Sequence, residues 1–172
     1  MIEVKQINNE LRDKAVNCGL CKQWQNDWEK EWDLERMASQ FYRGIDFYLK
    51  NRFIPKDYFK NAFGLDYLRK KGCIVDDIYS LTNPENCILI GNSQSTVRVN
   101  AENASNIYVI DDSKLKVIAR NRSFVIVHAL DNAQIEAWQY DNARVVIIRH
   151  SEDIKITTNG NVKVKEELDY LK

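Results

Sequence analysis

The sequence predicts an α+β protein in which an N-terminal helical unit packs on a C-terminal β-solenoid, a parallel β-helix-like coil of about 19–20 residues per turn. Two observations predict this fold. First, 13 of the 18 aromatic residues lie in the first 82 positions, where apolar residues recur at helical spacing. Second, a short β-type unit recurs through the remaining 90 positions. We therefore divide the chain into a helical cap region, residues 1–82, and a β-repeat solenoid, residues 83–172.

The helical region carries start and stop signals for several short helices. Gly19 is placed to end the first helix, and Asp33 is a suitable N-cap for the longest one. Gly44 interrupts the apolar stripe of that long helix, and glycine weakens a helix interior. Pro55 suits the first turn of a further helix, and Gly64 is placed to end it. Short helices bury little apolar surface alone, so we expect them to cover another surface.

A turn followed by a short β-type run recurs along the second region. The clearest copies are residues 131–137 and 141–147, which both begin with Asp-Asn-Ala. Successive copies begin 9 to 11 residues apart, and repeats this short are typical of a solenoid. A β-sandwich or meander is the alternative, because antiparallel strands also occur at this spacing.

The strands of the repeats fall into two classes that alternate along the chain. One class is apolar throughout, at residues 87–90, 107–110, 124–127 and 145–148. The other class alternates apolar and polar residues, at 97–99, 115–117, 135–137 and 154–156. Strands covered on both faces are apolar throughout, whereas half-exposed strands alternate. The two classes therefore favour a coil with one covered wall and one wall in water.

The two walls and the end of the solenoid each lead to an expectation about the residues that lie on them. The water-facing wall is predicted to present Arg98, Lys116, Glu136 and Lys155 as one column of charges. The apolar wall needs a cover, which is either the aromatic helices or a second copy of the chain. Residues 166–172 are predicted to form a short helix that closes the last coil, because solenoid ends carry unpaired strand edges.

Two segments carry a resemblance to known proteins. The Asp-Asn-Ala units resemble the short-period β-solenoid repeats of uncharacterised bacterial and phage-associated proteins. Leu11–Ala15 and Trp24–Trp28 are similar to the helical N-terminal region of such proteins. The resemblance implies an origin in a phage or mobile element. It implies no activity, so no catalytic residue is assigned from it.

Charge and hydropathy limit the partners and the compartment. The 25 Lys and Arg residues balance the 25 Asp and Glu residues, which argues against a protein that holds nucleic acid by bulk electrostatics. The N-terminus lacks the basic and apolar segments of a secretory signal. No apolar run reaches about 18 residues, the length of a membrane helix. We expect a cytoplasmic protein without membrane contact, whose partner is another protein or a second copy of itself.

Tryptophan and histidine supply the candidate binding residues. Trp24, Trp28 and Trp32 recur every four positions, which places them on one face of a helix. Tryptophan is enriched at binding hot spots, although a buried core stripe has the same spacing. His128 and His150 are the two histidines of the chain and the second candidate group.

Cysteine spacing and the absence of catalytic motifs complete these expectations. Cys18 and Cys21 have the C-x-x-C spacing of zinc knuckles and redox sites. No second knuckle follows, so buried structural cysteines are expected, and no cofactor or metal ligand is assigned. The sequence contains no phosphate loop, H-E-x-x-H motif or G-x-S-x-G elbow. We therefore expect a non-catalytic binding or assembly protein. The alternative is an acyltransferase-like enzyme with a histidine at an intersubunit site on a β-helix.

Overall fold

In a computed structural model, which describes residues 3–28 and 33–171, the chain forms two compact units. The first unit ends at Gly64, and its described residues contain five helices. The second unit runs from Leu65 to Tyr170 and contains one helix and eleven strands. The predicted α+β class and β-solenoid are therefore confirmed.

The helices of the first unit are short. Their bounds are α1 Val4–Asn17, α2 Lys22–Asp27, α3 Leu34–Arg43, α4 Ile45–Asn51 and α5 Lys56–Phe63. The predicted N-cap is confirmed, because the Asp33 side chain accepts the backbone N–H of Arg36 at 2.8 Å. The long helix expected after Asp33 is divided at Gly44, which ends α3 and begins α4.

Aromatic side chains from three helices form the centre of the first unit. Phe41 of α3, Tyr48 of α4 and Phe59 of α5 contact each other, with ring centroids 5.1–5.7 Å apart. Tyr48 and Phe59 are buried, and rings at such separations attract each other in tilted and edge-to-face arrangements. Ile7 and Leu11 of α1 are buried as well. The aromatic enrichment of this region therefore supplies a packed core for helices that are too short to be stable alone.

The second unit opens with α6, Leu65–Lys70, and continues as short strands. The strands are β1 Cys73–Val75, β2 Leu81–Thr82, β3 Asn86–Ile90, β4 Gln94–Val99, β5 Ala104–Val109, β6 Lys114–Ala119, β7 Phe124–Ala129, β8 Gln134–Gln139, β9 Arg144–Arg149, β10 Lys155–Asn159 and β11 Lys163–Glu166. The odd-numbered strands form one sheet, which we name sheet 1, and the even-numbered strands form sheet 2. The chain thus alternates between two sheets in a solenoid of about four turns.

The central coils contain 20 residues. Lys114 of β6 pairs with Gln94 of β4 and with Gln134 of β8, each 20 positions away. The two strand classes expected from the sequence are the two sheets, because the apolar strands all lie in sheet 1 and the alternating strands in sheet 2. All strand pairs in the described part of the chain are parallel. The β-sandwich or meander alternative is therefore wrong.

Aspartates at the corners explain the Asp-Asn-Ala repeat. Asp111, Asp131 and Asp141 have φ angles of 58°, 55° and 54°, a left-handed conformation that aspartate tolerates better than most residues. Two of the carboxylates accept a backbone N–H from the preceding coil, Asp111 from Gly91 at 2.7 Å and Asp131 from Asp111 at 2.9 Å. Asp141 accepts the corresponding N–H at the other corner. Each aspartate thereby both forms the turn and satisfies a backbone donor.

Inward-facing side chains of both sheets form the interior of the solenoid. Ile107, Val117, Val127 and Ile147 are completely buried there, since alternate residues of each strand point inward. Ile88 of β3 is also completely buried but lies outside the interior cluster. The outer side of sheet 1 is therefore covered at β3, but Phe124 of β7 is exposed, so the cover predicted for the whole apolar wall does not extend to β7. Which surface provides that cover stays a prediction.

The four charged residues predicted to share one column lie in three columns. Lys116 pairs with Glu136, as expected. Arg98 and Lys116 are 18 positions apart, whereas β4 and β6 pair residues 20 positions apart, so these two cations are out of register. Lys155 is likewise displaced from Glu136, because β8 and β10 pair residues 21 positions apart. The repulsion implied by one column of Arg98 beside Lys116 is thus absent from this wall.

The ends of the solenoid differ from the expectations in two ways. β1 and β2 precede residue 83, so the coil begins before the composition of the chain changes. Residues 168–171 form turns instead of the predicted helix. Among the helices that the structure describes, none combines the length and the apolar character that crossing a bilayer needs.

Candidate ligand pocket and histidine pair

The first unit contains an apolar pocket of about 420 Å³. Its lining includes two of the three predicted tryptophans, Trp24 and Trp28. The third, Trp32, lies outside the described residues. The other aromatic lining residues are Phe41, Phe47, Tyr48 and Phe53, and the aliphatic ones are Leu11, Ala15, Leu20, Met37 and Ile54. The pocket therefore lies among α1, α2, α3 and α4, and all of its lining belongs to the first unit.

Two contacts position the tryptophans beside the pocket. Trp24 lies in α2, and the guanidinium carbon of Arg43 lies 5.5 Å from the centroid of its ring. Trp28 is the C-cap of α2 with an extended backbone, so α2 ends before the predicted Trp stripe is complete. The Nε1–H of Trp28 donates to Oδ1 of the buried Asn8 at 2.8 Å. This bond satisfies both polar groups and anchors the ring to α1.

The charged lining residues of the pocket are solvent-exposed. Arg43 and Asp46 line the pocket and are exposed, as is Cys21. Gln40 adds one amide, and most of the remaining lining residues are apolar or aromatic. Burying a charge without a partner is costly, so this lining fits a ligand whose buried part is uncharged.

The cysteines divide into an exposed and a buried pair. Cys18 and Cys21 are free and exposed, contrary to the expected buried thiols. Cys73 and Cys87 are free and buried in the solenoid. Burial raises the pKa of the Cys73 thiol to about 12 and also raises the pKa of the Cys87 thiol. Within residues 3–28 and 33–171, no three His, Cys, Asp or Glu side chains converge where they would hold a metal ion.

The two predicted histidines meet on the outer side of sheet 1. His128 lies in β7, and His150 directly follows β9, the next strand of the sheet. Their rings stack with centroids 5.3 Å apart. Tyr108 stacks on the His128 ring at 4.9 Å, and Tyr170 stacks on the His150 ring at 4.1 Å. Strand register and a corner therefore assemble one aromatic stack from four separate parts of the chain.

The hydrogen bonds of the pair assign the proton positions of two neutral imidazole rings. Nδ1 of His150 lies 2.9 Å from the backbone oxygen of Glu167. A carbonyl oxygen only accepts, so Nδ1 of His150 is the donor, and Nε2 of a neutral His150 is an acceptor. Nδ1 of His128 lies 3.0 Å from that Nε2 and donates to it. The arrangement ties the C-terminal turn to sheet 1 through two imidazoles.

A third group of side chains lies on the outer face of sheet 2, and Trp138 is the member that the sequence analysis did not identify. Nζ of Lys116 lies 3.0 Å from Oε1 of Glu136 and 4.3 Å from the centroid of the Trp138 ring. The Nε1–H of Trp138 donates to the same carboxylate oxygen at 2.7 Å. The hydrogen bonds from Lys116 and Trp138 hold the pKa of Glu136 below its ordinary value. The repeat spacing predicts the pairing of Lys116 with Glu136, which the register confirms, whereas no sequence pattern places the Trp138 ring beside them.

No protein-family model, curated protein or solved structure matches this chain. The resemblance to bacterial and phage-associated solenoid proteins therefore stays a prediction.

Proposed function

We propose that the chain is a non-catalytic binding protein and that the pocket of its first unit holds a small apolar ligand. One observation supports this proposal, namely an aromatic-lined pocket of about 420 Å³. Small-molecule sites are mostly apolar clefts of about 300–1,000 Å³. The pocket has the size and the lining of that class of site.

The lining sets the chemistry of the ligand. Trp24, Trp28 and Phe47 offer ring surfaces, which favour a ligand with an aromatic or branched aliphatic body. Arg43 and Asp46 are exposed to solvent, so a polar end of the ligand remains in water beside them. Burial of the apolar body supplies the free energy of binding, at about 25 cal/mol per Å² of apolar surface.

A protein partner or a second copy of the chain is the alternative within the same class of function. Such a partner would insert one or two apolar side chains into the pocket, as anchor residues do at protein interfaces. The histidine geometry gives less support to the acyltransferase-like alternative, because Nδ1 of His128 bonds to His150 and Nδ1 of His150 donates to a backbone carbonyl.

A fluorescence titration with N-phenyl-1-naphthylamine, an uncharged dye that brightens in apolar surroundings, tests the proposal. The dye is expected to bind saturably with one site per chain. Ala15→Leu, which places a larger side chain in the lining, is expected to weaken dye binding at least roughly tenfold, because the added atoms occupy the ligand's space.

The control variant is Ala62→Leu. Ala62 is half-buried on α5 and does not line the pocket, so its dye affinity is expected to equal that of the parent chain. Saturable binding that Ala15→Leu leaves unchanged, in a variant that stays folded, would show that the dye binds elsewhere and would overturn the proposal. If a second copy of the chain or a protein partner competes with the dye, the result would support that alternative instead of a small ligand.

A further inference from the structure

We propose that the outer face of sheet 2 binds single-stranded nucleic acid. This face belongs to the solenoid unit, and its residues are separate from those that line the pocket. Nucleic-acid binding by this face and ligand binding by the pocket can therefore be tested separately. It rests on charge, on exposure and on two aromatic rings.

The outer face of sheet 2 is cationic. Its outward positions, together with the residue that continues β6, carry five cationic side chains and one carboxylate, namely Arg98, Lys114, Lys116, Arg120, Lys155 and Glu136. Four of the five cations are solvent-exposed. The one carboxylate, Glu136, is held by Lys116. The exposed charge of this face is therefore positive.

Carboxylates of the solenoid are concentrated at its corners. Asp111, Asp131 and Asp141 accept backbone N–H groups there, and Asp112 accepts a hydrogen bond from Asn132. The 25 cations and 25 carboxylates of the whole chain give a net charge of zero. That net charge conceals the difference between the acidic corners and the cationic face. A ligand that contacts one face responds to the local charge and not to the net charge.

Two aromatic rings lie among the cations. The ring centroids of Trp138 and Tyr140 are 6.2 Å apart, and both residues are half-buried. Nζ of Lys116 lies 4.3 Å from the Trp138 centroid, and the guanidinium carbon of Arg120 lies 4.8 Å from the Tyr140 centroid. A cation thus lies over one face of each ring, which brings a charge that could bind a phosphate close to an aromatic surface on which a base could stack.

This combination favours a single strand. Proteins bind single-stranded nucleic acid with cations that follow the phosphates and aromatic side chains on which bases stack. A duplex hides its base faces, and its grooves admit a helix or a narrow ribbon rather than a five-stranded sheet. A sulfated polysaccharide shares the charge of nucleic acid but lacks planar bases, so the test includes it as the rival polyanion.

Fluorescence anisotropy of a labelled oligothymidine, titrated with the full chain at low salt, tests the proposal. The double variant Lys114→Glu, Lys155→Glu is expected to bind roughly tenfold more weakly or worse, since both residues are exposed and each would contact a phosphate in the proposed complex. Each lost contact is also expected to reduce the slope of log K against log salt by about 0.7.

The matched control is Arg144→Glu, Lys163→Glu. Both residues are exposed cations on strands of sheet 1, so the control carries the same change in net charge. When the variants are compared at about 0.1 M salt, the control is expected to keep at least about half of the parent affinity, because the Debye length of about 10 Å then screens exposed charges on another face. Equal loss in the two double variants, or no binding by the parent chain at low salt, would overturn the proposal.

A second set of measurements distinguishes binding through base stacking from binding through charge. Trp138→Leu keeps every charge of the face and is expected to weaken oligothymidine binding by roughly fivefold or more, while binding of polyphosphate stays unchanged. Tighter binding of a sulfated polysaccharide than of oligothymidine by the parent chain would overturn the proposal in favour of that polymer. The melting temperature of each variant is measured first, and if Trp138→Leu is unfolded, the charge variants and the polysaccharide comparison decide.

Discussion

Nδ1 of His128 lies 3.0 Å from Nε2 of His150, although 22 positions of the chain separate the two residues. The imidazole planes differ by only 6°, and the Tyr170 ring stacks on His150. The pair therefore joins β7, the corner after β9 and the C-terminal turn in one stack. Its clearest consequence concerns the last residues of the solenoid.

Replacing His150 with alanine is expected to loosen the C-terminal turn. The change removes the bond to the Glu167 oxygen and the ring on which Tyr170 stacks. Hydrogen exchange followed by mass spectrometry is expected to show faster exchange of the amides of residues 167–171, with the central coils unchanged. Arg144→Ala, an exposed change on β9, is the control. Unchanged exchange of the turn in His150→Ala would contradict the anchoring role.

Ile147 of β9 and Lys116 of β6 test the assignment of inward and outward positions in the solenoid. Ile147 is completely buried in the interior cluster, so Ile147→Asp is expected to lower the free energy of unfolding by about 4 kcal/mol or more. Lys116 and Glu136 form a half-exposed pair, so Lys116→Ser is expected to cost at most about 1 kcal/mol. Thermal unfolding measures both changes. Equal melting temperatures would mean that the inward and outward positions are wrongly assigned.

The ion pair of Arg69 and Asp77 links α6 to the first coil and predicts a loss of stability in acid. Nε of Arg69 lies 2.7 Å from Oδ2 of Asp77, and the same guanidinium lies 3.1 Å from Oδ1. The hydrogen bond from Arg69 holds the pKa of Asp77 below its ordinary value of 3.8. A lowered pKa in the folded state stabilises the protein above pH 3.8, and this contribution is lost as the pH falls through the folded pKa.

Asp77→Asn is therefore expected to reduce the free energy of unfolding at neutral pH and to flatten its decrease in acid. Urea unfolding at neutral pH and below the ordinary Asp pKa measures this difference. Asp66→Asn is the matched control, because Asp66 also contacts Arg69, at 3.4 Å, but its side chain is fully exposed. A parent chain and an Asp77→Asn variant with the same acid dependence would exclude the proposed contribution of the pair.

The four thiols are expected to react in two groups. Cys18 and Cys21 are exposed, whereas Cys73 and Cys87 are buried and their thiols have raised pKa values. Since the thiolate is the reactive form, iodoacetamide at neutral pH is expected to alkylate two cysteines of the folded chain. Mass spectrometry counts the adducts. Rapid alkylation of all four thiols without denaturant would show that the first coil opens readily.

The fold was predictable where one local rule decides a position. Asp33 caps its helix because a short acceptor side chain at a helix start satisfies a backbone donor. The two strand classes identified the two sheets because a strand covered on both faces is apolar throughout, whereas a strand exposed on one face alternates apolar and polar residues. The corner aspartates repeat because the turn requires a left-handed residue.

Contacts that depend on coil length or on tertiary packing were not predictable. The charge column failed because Arg98 and Lys116 are 18 positions apart in a coil of 20. The histidine contact spans 22 positions and includes a corner, so strand register alone does not bring the rings together. Trp24 and Trp28 were correctly placed in the helical region, but the pocket beside them is a gap among four helices, and a gap has no sequence signature.

A two-dimensional NMR spectrum of the tryptophan indole groups tests the central claim most directly, because each indole N–H gives its own signal. N-phenyl-1-naphthylamine is added to the labelled chain. The proposed pocket predicts that the Trp24 and Trp28 signals shift saturably while the signal of Trp138, which lies in the solenoid unit, stays in place. A shift of Trp138 alone, or no shift of Trp24 and Trp28 at saturating dye, would contradict ligand binding in the helical unit.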